Sequence, residues 1–301
     1  MIAGGIDGCK AGWLLIWKDQ QGYQYALLDR IDDLERFAKS AAQFFIDIPI
    51  GLSSETFHRS IEVKLRKELK SRSATIFNAP CRAAVYEVDK NKAKELNKRI
   101  LGKSLSEQTL NIKDKILETD RYIITSKSAS IQLLESHPEI CFKYLNQGQI
   151  LMSKKSQKEG VKQRLDLLSQ LDPEVKILYE RILTETKRNQ VKRDDILDAL
   201  CLCLANQIGL KTQTHFITDE NQVDAQGIPV KLAYAKLDIG YDGIFPQFSI
   251  LLSTKPFYSL SSARFLVLLE HIISQTYYFI ILLLPKSRIL PLNRNDEYLN
   301  I

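Results

Sequence analysis

Residues 1–29 carry three short runs rich in Ile, Leu, Trp and Tyr, "MIAGGID", "GWLLIWK" and "GYQYALLD", separated by Gly-containing turns. That punctuation predicts three antiparallel strands joined as two hairpins. The period then changes. In "IDDLERFAKSA", Ile31, Leu34 and Phe37 recur at helical spacing with Asp29 placed as a cap, and "FFIDIPIG" follows as an apolar strand closed by Pro49 and Gly51. The opening order is β-β-β-α-β, an α/β fold with a mixed sheet. Helical spacing returns in the basic stretch 55–70, after the break at Pro80 in "ATIFNAPCRAAVYE", and over residues 107–119. "ASIQLLES" reads as a fifth strand, and Pro138 opens the helix "PEICFKYL", where its missing N–H is not needed. "SKKSQKEGVKQRLDLLSQL" is a basic loop running into a helix. "DPEVKILYERIL" and "DDILDALCLCLANQIG" are two more helices, and "GIPVKLAY" is a final edge strand.

Beyond Ala235 the strand–helix alternation stops, which divides the chain into a domain of residues 1–235 and an irregular tail, 236–301, outside the core. Residues 265–285, "FLVLLEHIISQTYYFIILLLP", approach the length of a membrane span but are interrupted by Glu270, His271, Ser274 and Gln275, so an appendage is expected rather than a crossing. No basic, apolar leader opens the chain, and a cytoplasmic protein is expected. Five cysteines without C-x-x-C spacing point to buried, reduced thiols rather than to disulfides or zinc. The net charge of +6 permits a polyanionic partner without requiring one.

Carboxylates change the picture more than charge does. Asp7 ends the first strand between glycines, which suits either a tight hairpin turn or a ligand close to the backbone. Asp47 lies inside an apolar strand, where a carboxylate must face a partner or a cation. Glu135 ends the fifth strand. His137 and Glu139 suit the cap and first turn of the helix that follows. Asp194, Asp195 and Asp198 head the last long helix; 194/198 and 195/198 can each share a face, while one of the first two serves as a cap. Three segments could thus converge at one sheet edge. Oxygen-only ligands of this type suit Mg²⁺ or Mn²⁺, and two such ions about 4 Å apart support phosphodiester hydrolysis.

The stretches "GIDGCKAGW", "FIDIPIGL", "FNAPCRA", "SEQTLNIKDKILETD", "ESHPEICF", "SKKSQKEG" and "DDILDAL", in this order, resemble an uncharacterised family of the ribonuclease H-like superfamily, number 429 among domains of unknown function and described as predicted nucleases. The resemblance implies a ribonuclease H-like mixed sheet of three antiparallel strands, then parallel strands, flanked by helices. It also implies a metal-dependent nuclease. Asp7 stands where such families carry the first-strand metal ligand, Asp47 resembles the fourth-strand acid, and Asp195 with Asp198 resemble the last-helix acids of resolvase-type members. Where Cys-Asp and Gly are expected around the basic helix, this chain has Ile61, Glu62 and Lys70. Catalytic candidates are therefore Asp7, Asp47, Glu135, Asp195 and Asp198, with Asp194 added as a metal ligand. Arg66, Arg72, Arg82, Lys154, Lys155 and Arg164 are candidates to contact nucleic-acid phosphates, against the plainer reading of a solvated face. Two rivals stand beside the nuclease: an ATP-binding protein of the actin and sugar-kinase type, which would need a second such domain, and a non-catalytic nucleic-acid-binding protein.

Overall fold

The computed structural model describes residues 1–37, 41–126 and 129–237. Strands β1 (Ile2–Cys9), β2 (Gly12–Asp19) and β3 (Gly22–Leu28) form the expected antiparallel meander, Asp7 opposite Leu14 and Leu15 opposite Ala26. β4 (Ala42–Ile46) pairs parallel with β1, and β5 (Ile131–Glu135) pairs parallel with β4, so the five-stranded order is β3-β2-β1-β4-β5. This mixed sheet flanked by helices is consistent with a ribonuclease H-like layout.

Alternation along the strands sends side chains to two cores. Leu14, Ile16 and Phe45 pack on one face with α5 (Pro138–Leu145), α6 (Lys158–Leu171), α7 (Glu174–Glu185) and α8 (Arg193–Lys211). Ile6, Trp13, Leu15, Phe44 and Ile46 pack on the other with α4 (Glu107–Thr125) and the turn Ile31–Phe37. The remaining helices are α1 (Ile61–Leu69), α2 (Arg82–Tyr86) and α3 (Lys90–Leu101); α2 and α3 share a smaller core with the start of α4. β6 (Thr214–Val223) and β7 (Pro229–Ala235) make a separate two-stranded sheet that touches the main one at Ser136–Ala233.

Helix α8 is buried on all sides from Ile196 to Gln207, as a helix apolar around its circumference must be. Its seat is cut by Gly5. A Cβ there would lie 2.2 Å from Cys203 N and 2.3 Å from Ala199 O, so strand and helix meet backbone to backbone. Asn206 locks the contact, donating to Gly4 O at 2.9 Å and Gln43 O at 2.6 Å.

Two local expectations are revised, and two elements went unread. Ile31–Phe37 is a 3-10 helix, and the N–H groups of Arg30 and Ile31 donate to Asp33 and Glu118 rather than to an Asp29 cap. The basic helix starts only at Ile61, since Ser54 organises residues 54–57 into a turn. β6 and α3 escape hydrophobic reading because both are mostly polar, and a bulge between Thr218 and Val223 breaks the β6 alternation. All five cysteines are buried and free. Among the described residues no helix is long and apolar enough to cross a membrane. The apolar run 265–285 lies outside them, as does the expected tail from residue 238 onward.

Candidate functional site

The parallel register that pairs Ile6 with Ile46 continues one step further, the Asp47 N–H donating to Ile6 O at 3.1 Å. In-register parallel partners share a face, so Asp7 and Asp47 stand side by side, and successive residues alternate faces, so both turn away from Ile6 and toward α8. The close approach at Gly5 then sets Asp198, which immediately precedes Ala199, over them. Asp198 is only 1% exposed. The same register carries Glu135 elsewhere. It pairs with Ile46, and it is Ser136, donating to Ile46 O at 2.8 Å, that takes the face of Asp47.

One cation reaches into this group from the basic loop. Lys155 Nζ donates to Asp198 Oδ2 at 2.5 Å. The loop is held by Gly160 in the first turn of α6, where a Cβ would stand 2.0 Å from Lys154 O and 3.2 Å from Lys155 N. Asp198 Oδ1 is buried without a hydrogen-bond partner among the described residues. Burial, then the negative charges of Asp198 and Asp47, hold Asp7 well above the usual carboxylate range. Burial pushes Asp47 up to about 6 and raises Asp198 against the opposing pull of Lys155. The Asp198 charge raises the Lys155 ammonium in turn. The four groups form one electrostatic unit in which three carboxylates meet one ammonium.

Asp195 and Asp194 do not play the same part as Asp198. Asp195 Oδ2 reaches back to the Lys192 N–H at 2.9 Å, the N3 half of a capping box, and burial pushes its carboxyl up to about 6. Its charge still reaches Asp7. Asp194, half-exposed, acts on Asp195. His137 caps α5, its Nδ1 accepting the Glu139 N–H at 3.2 Å, so the ring proton sits on Nε2; burial pushes the imidazole down to about 4. Glu139 is bound by Arg164 at 2.7 Å and Arg72 at 3.2 Å, and its charge is felt at Asp47, Asp198 and His137.

Glu135 belongs to a different network. It accepts from Arg59 Nη2 at 2.8 Å and from the Ile50 N–H at 2.7 Å, while Arg59 Nε bonds Glu62 at 2.9 Å and its Nη1 bonds Ile50 O and Gly51 O. Burial pushes Glu135 up to about 6, Arg59 opposing. The departure at Glu62 thus supplies an Arg59 partner. The basic candidates are mostly turned inward as well: Arg66 to Ile76 O and Asn78, Arg72 and Arg164 to Glu139, Arg82 to Asp120 and Asp224, Lys155 to Asp198. Lys154 is exposed. Sequence reasoning assigned Lys155 to substrate and missed its place among the acids; Gly160, five residues on, was the readable sign that this loop is packed.

As the side chains stand, no group of three or more His, Cys, Asp or Glu residues among the described residues is arranged to hold a metal ion. The donor chemistry nonetheless suits a hard cation: all-oxygen ligands, one carboxylate oxygen left unbonded, and an ammonium already drawn in. A family model described as a protein of unknown function, DUF429, matches residues 5–221, and the chain belongs to that family. No curated protein and no solved structure matches it.

Proposed function

We propose, with DUF429 membership as premise, that the protein is a metal-dependent hydrolase of phosphodiester bonds, a nuclease of the ribonuclease H-like superfamily acting on nucleic acid. One observation carries the reading: three buried carboxylates, from β1, the residue that follows β4, and α8, are gathered at a single ammonium, and burial raises the proton affinity of each, with Asp47 and Asp198 adding to the effect at Asp7 and Asp47 adding to it at Asp198. When ionised they exceed Lys155 by two negative charges, the charge of one Mg²⁺ or Mn²⁺. Asp7, Asp47 and Asp198 would hold the ion, with Asp195 beside Asp7 as a further acid. Bound there, such an ion activates water and stabilises a leaving oxygen.

The chain's own groups do the rest. Burial keeps Asp7 protonated to unusually high pH in the metal-free protein and so lessens repulsion until a stronger cation competes for the carboxylate. His137, neutral at physiological pH, offers an Nε2–H and adds no charge. Lys155 answers part of the acids' charge through Asp198, the exposed Lys154 beside it would be free to meet a phosphate, and the +6 net charge permits a polyanion.

The test is a Mn²⁺- and Mg²⁺-supplemented cleavage screen over single strands, duplexes, hybrids and branched junctions, with Tb³⁺ luminescence to read metal binding directly. Metal-dependent cleavage abolished in Asp7→Asn supports the assignment. Absence of both metal binding and cleavage in folded protein overturns it.

A further inference from the structure

Of the three clustered acids, Asp47 lines a small cavity that runs past Ser136 and His137 to Glu62, Ile76 and Phe77. Those last three residues also line a second, larger cavity of about 410 Å³ bounded by α1, the segment 76–79 and the start of α4. Phe77 and Ile76 thus form a wall shared by the cavity at Asp47 and a chamber in the size range of small-molecule sites, roughly 300–1,000 Å³.

The lining has a definite chemistry. Phe77 is half-buried, with an aromatic ring available at the partition. Asn78 accepts from Arg66 through Oδ1, which leaves its amide N–H groups to donate, and exposed Gln108 stands on α4 with both amide functions. Arg66 and Lys103 give the chamber positive charge, while Glu62 shares Arg59 with Glu135. An aromatic ring, adaptable amides and cations form a combination that takes a planar, hydrogen-bonding, phosphate-bearing group.

We propose that this chamber receives a nucleobase, so that the acids act on a nucleotide whose base is unpaired, in a single strand or extruded from a duplex. The inference rests on the nuclease reading for the chemistry but not for the binding. A base inside a duplex stack cannot cross the Phe77 partition, which makes strand structure the basis of selection.

The test uses the full chain without metal and compares binding of the four deoxynucleoside 5′-monophosphates with ribose 5-phosphate by calorimetry. Cleavage of a single-stranded oligonucleotide is then compared with that of the same strand carrying one abasic site. The expected result is monophosphate binding roughly 5- to 100-fold tighter than ribose 5-phosphate, the scale of one base–aromatic stack. That preference should be lost in Phe77→Ala, weakened in Gln108→Ala and kept in Phe77→Trp; Gln108 is exposed, so its variant tests the site should Phe77→Ala not fold. Cleavage should be depressed at the abasic position. Equal binding of monophosphate and ribose 5-phosphate, with the abasic strand cut as fast as the intact one, overturns the chamber and leaves the nuclease reading intact. Base-selective binding without cleavage of any strand upholds the chamber and removes the nuclease. Absence of both overturns both.

Discussion

The Arg82 network and the Asp7 cluster both bury carboxylates, and they meet the resulting charge in opposite ways. Arg82 binds Asp120 at 2.7 Å and Asp224 at 2.6 Å, and Asp224 also accepts the N–H groups of Leu52, Gln226 and Ile228. Burial alone would raise Asp224, yet the Arg82 bond and the backbone donors hold it below the ordinary carboxylate value. In the cluster of Asp7, Asp47 and Asp198 the balance is reversed: all three are raised, and one oxygen of Asp198 has no hydrogen-bond partner among the described residues. A buried acid whose proton affinity has been lowered is finished by its own fold. Acids whose proton affinity has been raised together, brought in by three separate segments, are matched to something the fold does not supply.

The strongest way to break this contrast is to remove Arg82. Arg82→Met leaves Asp120 and Asp224 buried without their cation, and loss of one partner of a buried pair costs about 3–5 kcal/mol. Chemical denaturation should show a loss of that order. Any effect on nucleic-acid binding should follow the fraction folded, because Arg82 is engaged inward rather than toward substrate. A stable variant with weakened binding would return Arg82 to the substrate side and dissolve the distinction.

Asp7→Asn should act with the opposite sign. The folded state holds the Asp7 proton more tightly than the unfolded chain, whose reference value is 3.8. The native contribution is therefore intact below that pH and is lost as pH rises toward the folded value. At pH 8 in EDTA the asparagine variant should be more stable than the parent, and the gap should close near pH 3. Added Mg²⁺ should stabilise the parent and not the variant. Melting curves across pH, with and without Mg²⁺, read all three outcomes, and a variant less stable at pH 8 than at pH 4 relative to the parent would contradict them.

Much of this contrast was legible in the residues and some was not, for reasons that can be named. Asp7 and Asp47 announce themselves in apolar surroundings, because a buried charge requires an answer, although the structure puts Asp7 inside β1 rather than at its end and Asp47 just past β4 rather than within it. The choice among Asp194, Asp195 and Asp198 could not be read, since α8 is buried around its whole circumference and its periodicity marks no inner face. The face of Glu135 could not be read because its strand reads correctly while its register is invisible. One residue of offset separates the face of Asp47 from the face of Ile46, and only the pairing of β4 with β5 sets it. The basic candidates Arg66, Arg72, Arg82 and Arg164 look like a phosphate-binding surface in sequence. Their partners Asn78, Glu139, Asp120 and Asp224 are fixed by tertiary packing.

Lys155 sharpens the comparison at smaller amplitude. Lys155→Met removes the single ammonium from the acids, so the metal-free protein should lose stability at pH 8. The Lys155 side chain is 41% exposed, and solvent screening reduces the expected loss to about 1 kcal/mol. The loss should shrink toward pH 4 as the raised carboxylates take up protons, Asp47 with a value of about 6 among them. With no ammonium competing for Asp198 Oδ2, Tb³⁺ should bind the variant more tightly than the parent. Weaker Tb³⁺ binding in a folded variant would make Lys155 a support for the site rather than a rival to the ion.

The smallest effect is expected where neither network draws a partner. All residues of the Arg82 network and of the Asp7 cluster fall within 7–224, and the described core closes with β7, whose Val230, Leu232, Ala233 and Ala235 are buried in the α8 core. Two residues past the expected boundary still take part: Lys236 Nζ stands 5.1 Å from the centre of the Tyr144 ring, and Leu237 packs against the same core. The core therefore extends at least to Leu237, beyond the expected boundary at 235. A chain of residues 1–237 should melt cooperatively, with the Asp7→Asn and Arg82→Met shifts unchanged from those in the full chain. A chain of residues 1–235 should be less stable by about 0.5–1 kcal/mol, the scale of one exposed cation–π contact. Thermal melting of the two truncations beside the full chain decides it. If 1–237 fails to melt cooperatively, residues beyond 237 contribute to the core, and the division of the chain at that point is wrong.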